Sequence, residues 1–342
     1  MKRLLFAILL TFFLISQFST MAYCQQKEVY NLKLVSYLSR AEMWMLDHFT
    51  QNWQKMSNGR LKIQVFTGGE LVPSTEIMNA VASGVADLGM SVGYYVKEQV
   101  PVAGAEAGLP FAWRTPWVDV NSVFYDKGLI EIVRDEYAAK GRVHYIAPAG
   151  LDPYSLLMTK ECKTLDDLKQ YKIRAAGDVA KLLNNLGVAT VYLPLEEIYL
   201  ALATGTIDGL IFADSAAYYD LKFFEVAKYL IRPPFNATTN ANLFANLRVW
   251  ETLPDDIKAI IEVGFKEFSA TATYRFISDG ANKLALARAK WGVKEINLPD
   301  ADVEILRKAG LDLWKAYASK SPSCKKAVEK LIEWHKEAGY IK

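Results

Sequence analysis

Two stretches of this chain repeat one pattern. Residues 76–91 read EIMNAVASGVADLGMS and residues 197–212 read EIYLALATGTIDGLIF. Glu76 matches Glu197, Ala80 matches Ala201, Ala82 matches Ala203, Ser83-Gly84 matches Thr204-Gly205, and Asp87 matches Asp208. In each, apolar residues keep helical spacing up to the glycine, where a left-handed cap is free of a Cβ penalty, and a short apolar strand follows at once. Such units belong to parallel sheets covered by helices on both faces. Two copies about 120 residues apart predict two similar α/β lobes, not a solenoid.

The flanking sequence has the same grammar. VYNLKLVS (29–36) and LKIQVF (61–66) alternate like strands, with helical spacing over 41–56 between them and Ser74 placed to cap the next helix. Later, HYIAPA, SLLMTK, YKIRAA, TVYLP and IDGLIF read as strands. Between them come helices at KTLDDLK, 178–186 and 195–204, the first opening on a Thr164/Asp167 capping box. Beyond that the spacing predicts helices over 215–230, 254–276, 277–291, 300–319 and 322–338.

The N-terminus predicts export. Lys2 and Arg3 precede an apolar run from Leu4 to Ile15, shorter than the roughly 20 residues of a spanning helix. This is a secretory signal peptide over residues 1–24, with cleavage after Ala22 or Cys24. An uncleaved anchor and lipid attachment at Cys24 are the alternatives. The 318 residues left after cleavage at Cys24 (342 − 24) suit two domains better than one core. The formal charge is +2 with Lys2 and Arg3 included, and no basic cluster is interleaved with aromatics, so nucleic acid and anionic membrane are not expected partners. Cys162 and Cys324 remain, either as one disulfide or as two separate buried thiols.

Ligands of open parallel sheets sit at the carboxyl ends of the strands. Arg174 closes one strand, Ser91–Tyr95 follow another, and Phe212, Ala213, Asp214 and Ser215 follow a third. If the lobes face each other, these ends line one cleft. Arg174 then has two readings on residue order alone: an anchor for a ligand carboxylate, or a structural partner of Asp178 or Glu196.

The run KTLDDLKQYKIRAAGDVAKLLNNLGVATVYLPLEEIYLALATGTIDG (163–209) resembles the signature of TRAP-transporter solute-binding proteins. GGELVPSTEIMNAVASGVADLGMS, GLPFAW and LPDDIKAII support it, and the resemblance covers nearly all of the mature chain. It implies a periplasmic receptor that captures a small organic acid by hinge closure and passes it to membrane permease subunits. The implied fold is a two-lobed Venus-flytrap, with crossing strands and a long helix joining the lobes. Residues 25–150 plus about 237–276 would form one lobe, and 151–236 plus about 277–342 the other. The family's carboxylate-binding arginine lies in KIR, which makes it Arg174 here. After TGTIDG many members carry Glu-Asn-Pro or Trp-Glu, the latter in some cation-assisted oxoacid sites. This chain has LIFADSAAYYD instead, so no metal and no cofactor are expected.

Other candidates keep two readings each. Tyr94 and Tyr95 either line the cleft or pack under a loop. Asp214, with Ser215, either contacts the ligand or caps the following helix. Glu70 either binds a ligand hydroxyl or faces solvent or the other lobe. Phe111 and Trp113 wall the pocket or fill a core. Tyr154 lies near the first crossing between lobes, and Asn242 near the return crossing, where it is expected to reach the ligand. Arg114 and Arg142 are expected in surface ion pairs. His48, His144 and His335 fall in unrelated segments, with no nucleophile elbow, P-loop or dinucleotide fingerprint. The expected function is therefore transport, not catalysis, by a protein that is most simply a monomer. The alternatives are a receptor for a sensor or an ATP-driven importer and, more remotely, an exported lyase or isomerase.

Overall fold

The echoed segments build matching parts of two sheets. A computed structural model of the chain describes residues 28–38, 43–150 and 153–341; the signal segment, with Ala22 and Cys24, lies outside them. The first sheet holds β1 (Tyr30–Ser36), β2 (Leu61–Phe66), β3 (Leu88–Val92), β4 (Val143–Gly150) and β10 (Asn240–Asn246), in the order β2-β1-β3-β10-β4. The second holds β5 (Tyr154–Met158), β6 (Lys172–Arg174), β7 (Ala189–Val191), β8 (Gly209–Ile211), β9 (Tyr229–Asn236) and β11 (Lys294–Asn297), in the order β11-β9-β5-β8-β6-β7. The helices are α1 (Met43–Met56), α2 (Ile77–Ser83), α3 (Ala103–Ala107), α4 (Val118–Asn121), α5 (Leu129–Glu136), α6 (Leu165–Leu168), α7 (Gly177–Asn185), α8 (Leu195–Ala203), α9 (Ser215–Asp220), α10 (Leu247–Thr252), α11 (Asp255–Trp291), α12 (Asp300–Ala318) and α13 (Pro322–Glu337).

The repeat has a mechanical basis. Gly84 and Gly205 both take positive φ, 84° and 72°, where α2 and α8 end. The aspartates that follow then fix the register of the neighbouring strand. Asp87 accepts from the Lys33 backbone N–H at 2.7 Å, and Asp208 accepts from the Lys172 N–H at 3.0 Å. In return the Asp87 N–H donates to the Lys33 carbonyl and the Asp208 N–H to that of Lys172. β3 and β8 are therefore counterparts, as are β1 and β6. The capping box also forms: the Asp167 N–H donates to Thr164 Oγ1 at 3.1 Å and the Thr164 N–H to Asp167 Oδ2 at 3.0 Å. Ser74, by contrast, opens a single 3₁₀ turn, whose cap position is Pro73.

In each sheet one strand runs against the rest, β10 in the first and β5 in the second. These are the strands entered directly from the other lobe, after β9 and β4. Parallel neighbours require a crossover connection, and a strand delivered straight across has none. β9 replaces helix at the end of the expected 215–230 span, and its Pro233-Pro234 pair sits where the β5 pairing shifts register, so no ladder N–H is missing. The two helices expected over 254–291 are one, α11, of 37 residues. That is roughly 55 Å at 1.5 Å per residue. Its first half buries Ile257, Ile261, Phe265 and Phe268 against the first lobe, and its end buries Leu284 and Ala287 against the second. The apolar stripe changes lobes midway, which is why the spacing reads as two helices.

Both faces of each sheet are covered, giving four apolar clusters. The C-terminal segment divides between the lobes. Val303 and Leu306 of α12 pack with the second sheet, whereas Trp314, Tyr317 and the α13 residues Val328 and Leu331 pack with the first. The expected placement of all of 277–342 in the second lobe therefore does not match the packing of α13. The same division decides between the two readings of the cysteines in favour of separate buried thiols. Cys162 is buried in the second lobe's core and Cys324 in the first lobe's, both as free thiols. Burial pushes the Cys162 thiol up to about 11. A reductant should consequently leave the melting temperature of the mature protein unchanged; a fall of several degrees would mean that a disulfide forms.

Candidate functional site

Arg174 is the last residue of β6, and only 6 % of its surface is exposed. Its Nε donates to the Leu193 carbonyl at 3.1 Å and Nη1 to that of Ile211 at 3.2 Å. The guanidinium lies 5.3 Å from the Tyr192 ring centroid and 5.6 Å from that of Phe212. Among the described residues no carboxylate pairs with it; Asp178, one of its two expected structural partners, meets Lys181 at 3.1 Å and Lys97 at 3.8 Å instead. Burial lowers the Arg174 pKa below the ordinary guanidinium value, opposed only by nearby tyrosines. The counterpart strand shows what the fold itself requires here. Since Lys33 corresponds to Lys172, Arg174 corresponds to Val35, which is fully buried. The other lobe carries an apolar side chain at this register, so the shared architecture does not itself call for a charge here.

That residue opens on a cavity of about 350 Å³ between the lobes. The second lobe contributes Tyr154, Arg174, Asp178 and Phe212; the first contributes Tyr94, Tyr95 and Lys97. Tyr94 and Tyr95 occupy the short 3₁₀ turn after β3, and the Tyr94 hydroxyl donates to the Gly108 carbonyl at 2.6 Å. A neighbouring chamber of about 300 Å³ shares Tyr94, Tyr95, Tyr154 and Phe212 and extends to Asn240. The structure thus brings five expected residues together: Arg174, Tyr94, Tyr95 and Phe212 from the strand ends, and Tyr154 from the crossing between lobes.

The remaining candidates lie elsewhere. Asp214 caps α9 through the Ser215 N–H and is held by Arg232 Nη1 at 2.7 Å. Burial pushes its carboxyl up, but the Arg232 charge and hydrogen bonds outweigh that and keep it below its ordinary value. Asp214 and Ser215 line a separate hollow against α11, because the cap turns their side chains away from Arg174. Asn242 faces the first lobe's interior, where its Nδ2 donates to Glu106 Oε2 at 3.2 Å and to the Tyr137 hydroxyl at 3.1 Å. Glu70 is exposed and accepts from the Thr67 N–H at 2.8 Å, closing its own turn. Phe111 and Trp113 are core residues. Arg114 stacks 4.1 Å from the Tyr340 ring centroid, and neither it nor Arg142 has an ion-pair partner among the described residues. His335 is buried, its Nε2 2.9 Å from the Ala112 carbonyl, and His144 stacks on Trp250. No cluster of metal-ligating side chains occurs among the described residues.

Lys97 and Asp178 line the cavity and Tyr192 flanks Arg174, and sequence reasoning placed none of the three at the candidate site. Lys97 lies only two positions beyond Tyr95, but three residues of irregular turn give no spacing from which to aim its side chain. In the sequence Asp178 reads only as a structural ion-pair partner of Arg174, whereas it meets Lys97 and Lys181 instead.

A two-lobed fold with a cation at a strand end facing the interlobe cavity has a family counterpart. The family model described as "Bacterial extracellular solute-binding protein, family 7" matches residues 39–321. The chain belongs to this family. The match bears out the resemblance to TRAP-transporter solute-binding proteins, and the family is one of solute-binding proteins. Among curated proteins, a monocarboxylate 2-oxoacid-binding periplasmic protein of Nostoc sp. is 28 % identical over 290 residues, covering 83 % of this chain and 77 % of its own. A TRAP periplasmic solute-binding protein of Rhodobacter sphaeroides, in an apo open structure, superposes with a TM-score of 0.80 at 20 % identity, covering 91 % of this chain and 99 % of its own. One from Colwellia psychrerythraea, with bound calcium and pyruvate, gives 0.78 at 22 %, covering 92 % and 96 %.

Proposed function

We propose that this family 7 receptor is the periplasmic component of a TRAP-type secondary transporter. After its signal peptide is removed near Ala22 or Cys24, it captures a small organic acid, with the carboxylate on Arg174, and delivers it to membrane permease subunits. The observation that carries this reading is a buried arginine with no carboxylate partner among the described residues, facing an interlobe cavity at a register where the other lobe has Val35. A guanidinium can meet a carboxylate with two parallel N–H···O bonds, matching shape as well as charge. Ligand binding would favour the closed form by its differential affinity for that form over the open one. The oxoacid-binding relative and the pyruvate-bound neighbour support an acid of this class.

The test is a thermal-shift screen of refolded mature protein, freed of co-purified ligand, against carboxylates, oxoacids, hydroxy acids, amino acids and sulfonates. Ligand at about 100 times its Kd should add roughly 2.7 kcal/mol of stability. Stabilisation confined to neutral or cationic compounds would overturn the anion assignment.

A further inference from the structure

Beside Arg174 the cavity holds a charged pair, and its geometry is incomplete. Lys97 comes from the first lobe, just beyond the Tyr94–Tyr95 turn; Asp178 comes from the second lobe, in the first turn of α7. Lys97 Nζ lies 3.8 Å from Asp178 Oδ2, with the two side chains 18 % and 11 % exposed. That separation is an ion pair but exceeds hydrogen-bond reach. Asp178 Oδ1 is met by Lys181 at 3.1 Å, whereas Oδ2 is buried and has no hydrogen-bond partner. A shielded carboxylate oxygen lacking a donor costs free energy until one is supplied.

Resting on the carboxylate reading of Arg174, we propose that Lys97 and Asp178 select an acid that also bears a hydroxyl group. The hydroxyl would donate to Asp178 Oδ2 and accept from Lys97 Nζ. A small outward swing of the ammonium on its flexible stem would admit it. One oxygen 2.8 Å from both atoms fits geometrically above a 3.8 Å base. Charge argues against the alternatives. Arg174, Lys97 and Lys181 bring three positive charges against the single negative charge of Asp178, so a ligand ammonium adds cation to a cationic site. A 2-oxo group can accept from Lys97 but offers Oδ2 no donor, leaving it orphaned. Hydroxy acids gain where the oxo analogue leaves a buried polar group unpaired, the asymmetry that makes hydroxyl recognition selective.

Calorimetric titration should use two matched series on the refolded mature protein: lactate, pyruvate and alanine, and phenyllactate, phenylpyruvate and phenylalanine. The wild type should bind the hydroxy acid of at least one series about tenfold or more tighter than its oxo and amino analogues. In Asp178→Asn, and in Asp178→Ala, which has no acceptor, the hydroxy-to-oxo ratio should fall to within about threefold of one; unliganded melting curves would establish that both variants fold. A wild-type preference for the oxo or amino acid, or a hydroxy preference unchanged in both Asp178 variants, would overturn hydroxyl selection. If acids bind and lose binding in Arg174→Ala yet show no hydroxyl preference, this inference alone falls. If no acid binds, both it and the carboxylate reading fall.

Discussion

Arg174→Ala should lose acid binding by roughly 2–5 kcal/mol, or about 30- to 5,000-fold in Kd, with little change in unliganded stability. The two halves of this expectation have different origins. In the unliganded protein the guanidinium is buried, bonded to two carbonyls and flanked by two rings. Those rings attract the cation without neutralising it. Removing the side chain loses two hydrogen bonds and some packing, but it also removes a buried charge without a counter-ion, so the terms oppose each other. In the liganded protein the same substitution would leave a carboxylate desolvated with no cation, which is the expensive case. Arg174→Lys should be intermediate, since it keeps the charge and loses the planar fork. Titration of wild type and both variants with the best acid from the screen, beside their unliganded melting curves, checks this. Wild-type affinity in Arg174→Ala would remove the arginine from the site; a collapse of unliganded stability would make it structural.

The sequence carried the parts of this fold that are local. The echoed helix–glycine–aspartate–strand units were legible because each is closed within a few residues, and the Asp87 and Asp208 contacts show why both copies keep an acid there. The strand-end rule points to the candidate cavity because β3, β6 and β8 all run in the direction that brings their carboxyl ends to it. What was not legible depends on partners far along the chain. Asn242 became part of a buried cluster because β10 inserts between β3 and β4, a topology that spacing alone does not reveal. Asp214 turned away because Arg232, on an unforeseen strand, claims it. α11 read as two helices because its apolar stripe serves different lobes at its two ends.

The buried cluster around Asn242 has a consequence for pH. Glu106 is fully buried in α3, and burial pushes its carboxyl up to about 8, against the opposing donors Asn242, Tyr145 and Tyr137. Its folded-state pKa thus lies above the ordinary 4.5, so the folded chain keeps a proton that the unfolded chain releases. Between about pH 4.5 and 8 the unfolded state binds fewer protons, and stability falls as pH rises, by at most about 1.4 kcal/mol per unit. Below that window both states are protonated and above it both are ionised, so the contribution is flat. Glu106→Gln, which keeps the shape and removes the ionisation, should therefore show little advantage at pH 4.5 and one on the order of several kcal/mol at pH 8. Denaturant unfolding of both proteins at several pH values reads the difference directly; a gap that stays constant with pH would show that Glu106 does not titrate in this window. The effect reaches the cleft as well. A Cβ at Gly93 would collide with Glu106 Oε2, so the carboxyl packs directly under the turn that carries Tyr94 and Tyr95. Ionisation there demands solvation that only movement of this turn or of α3 can supply. Ligand affinity should then weaken above pH 8 in the wild type and hold in Glu106→Gln, tying the core's proton to the wall of the binding site.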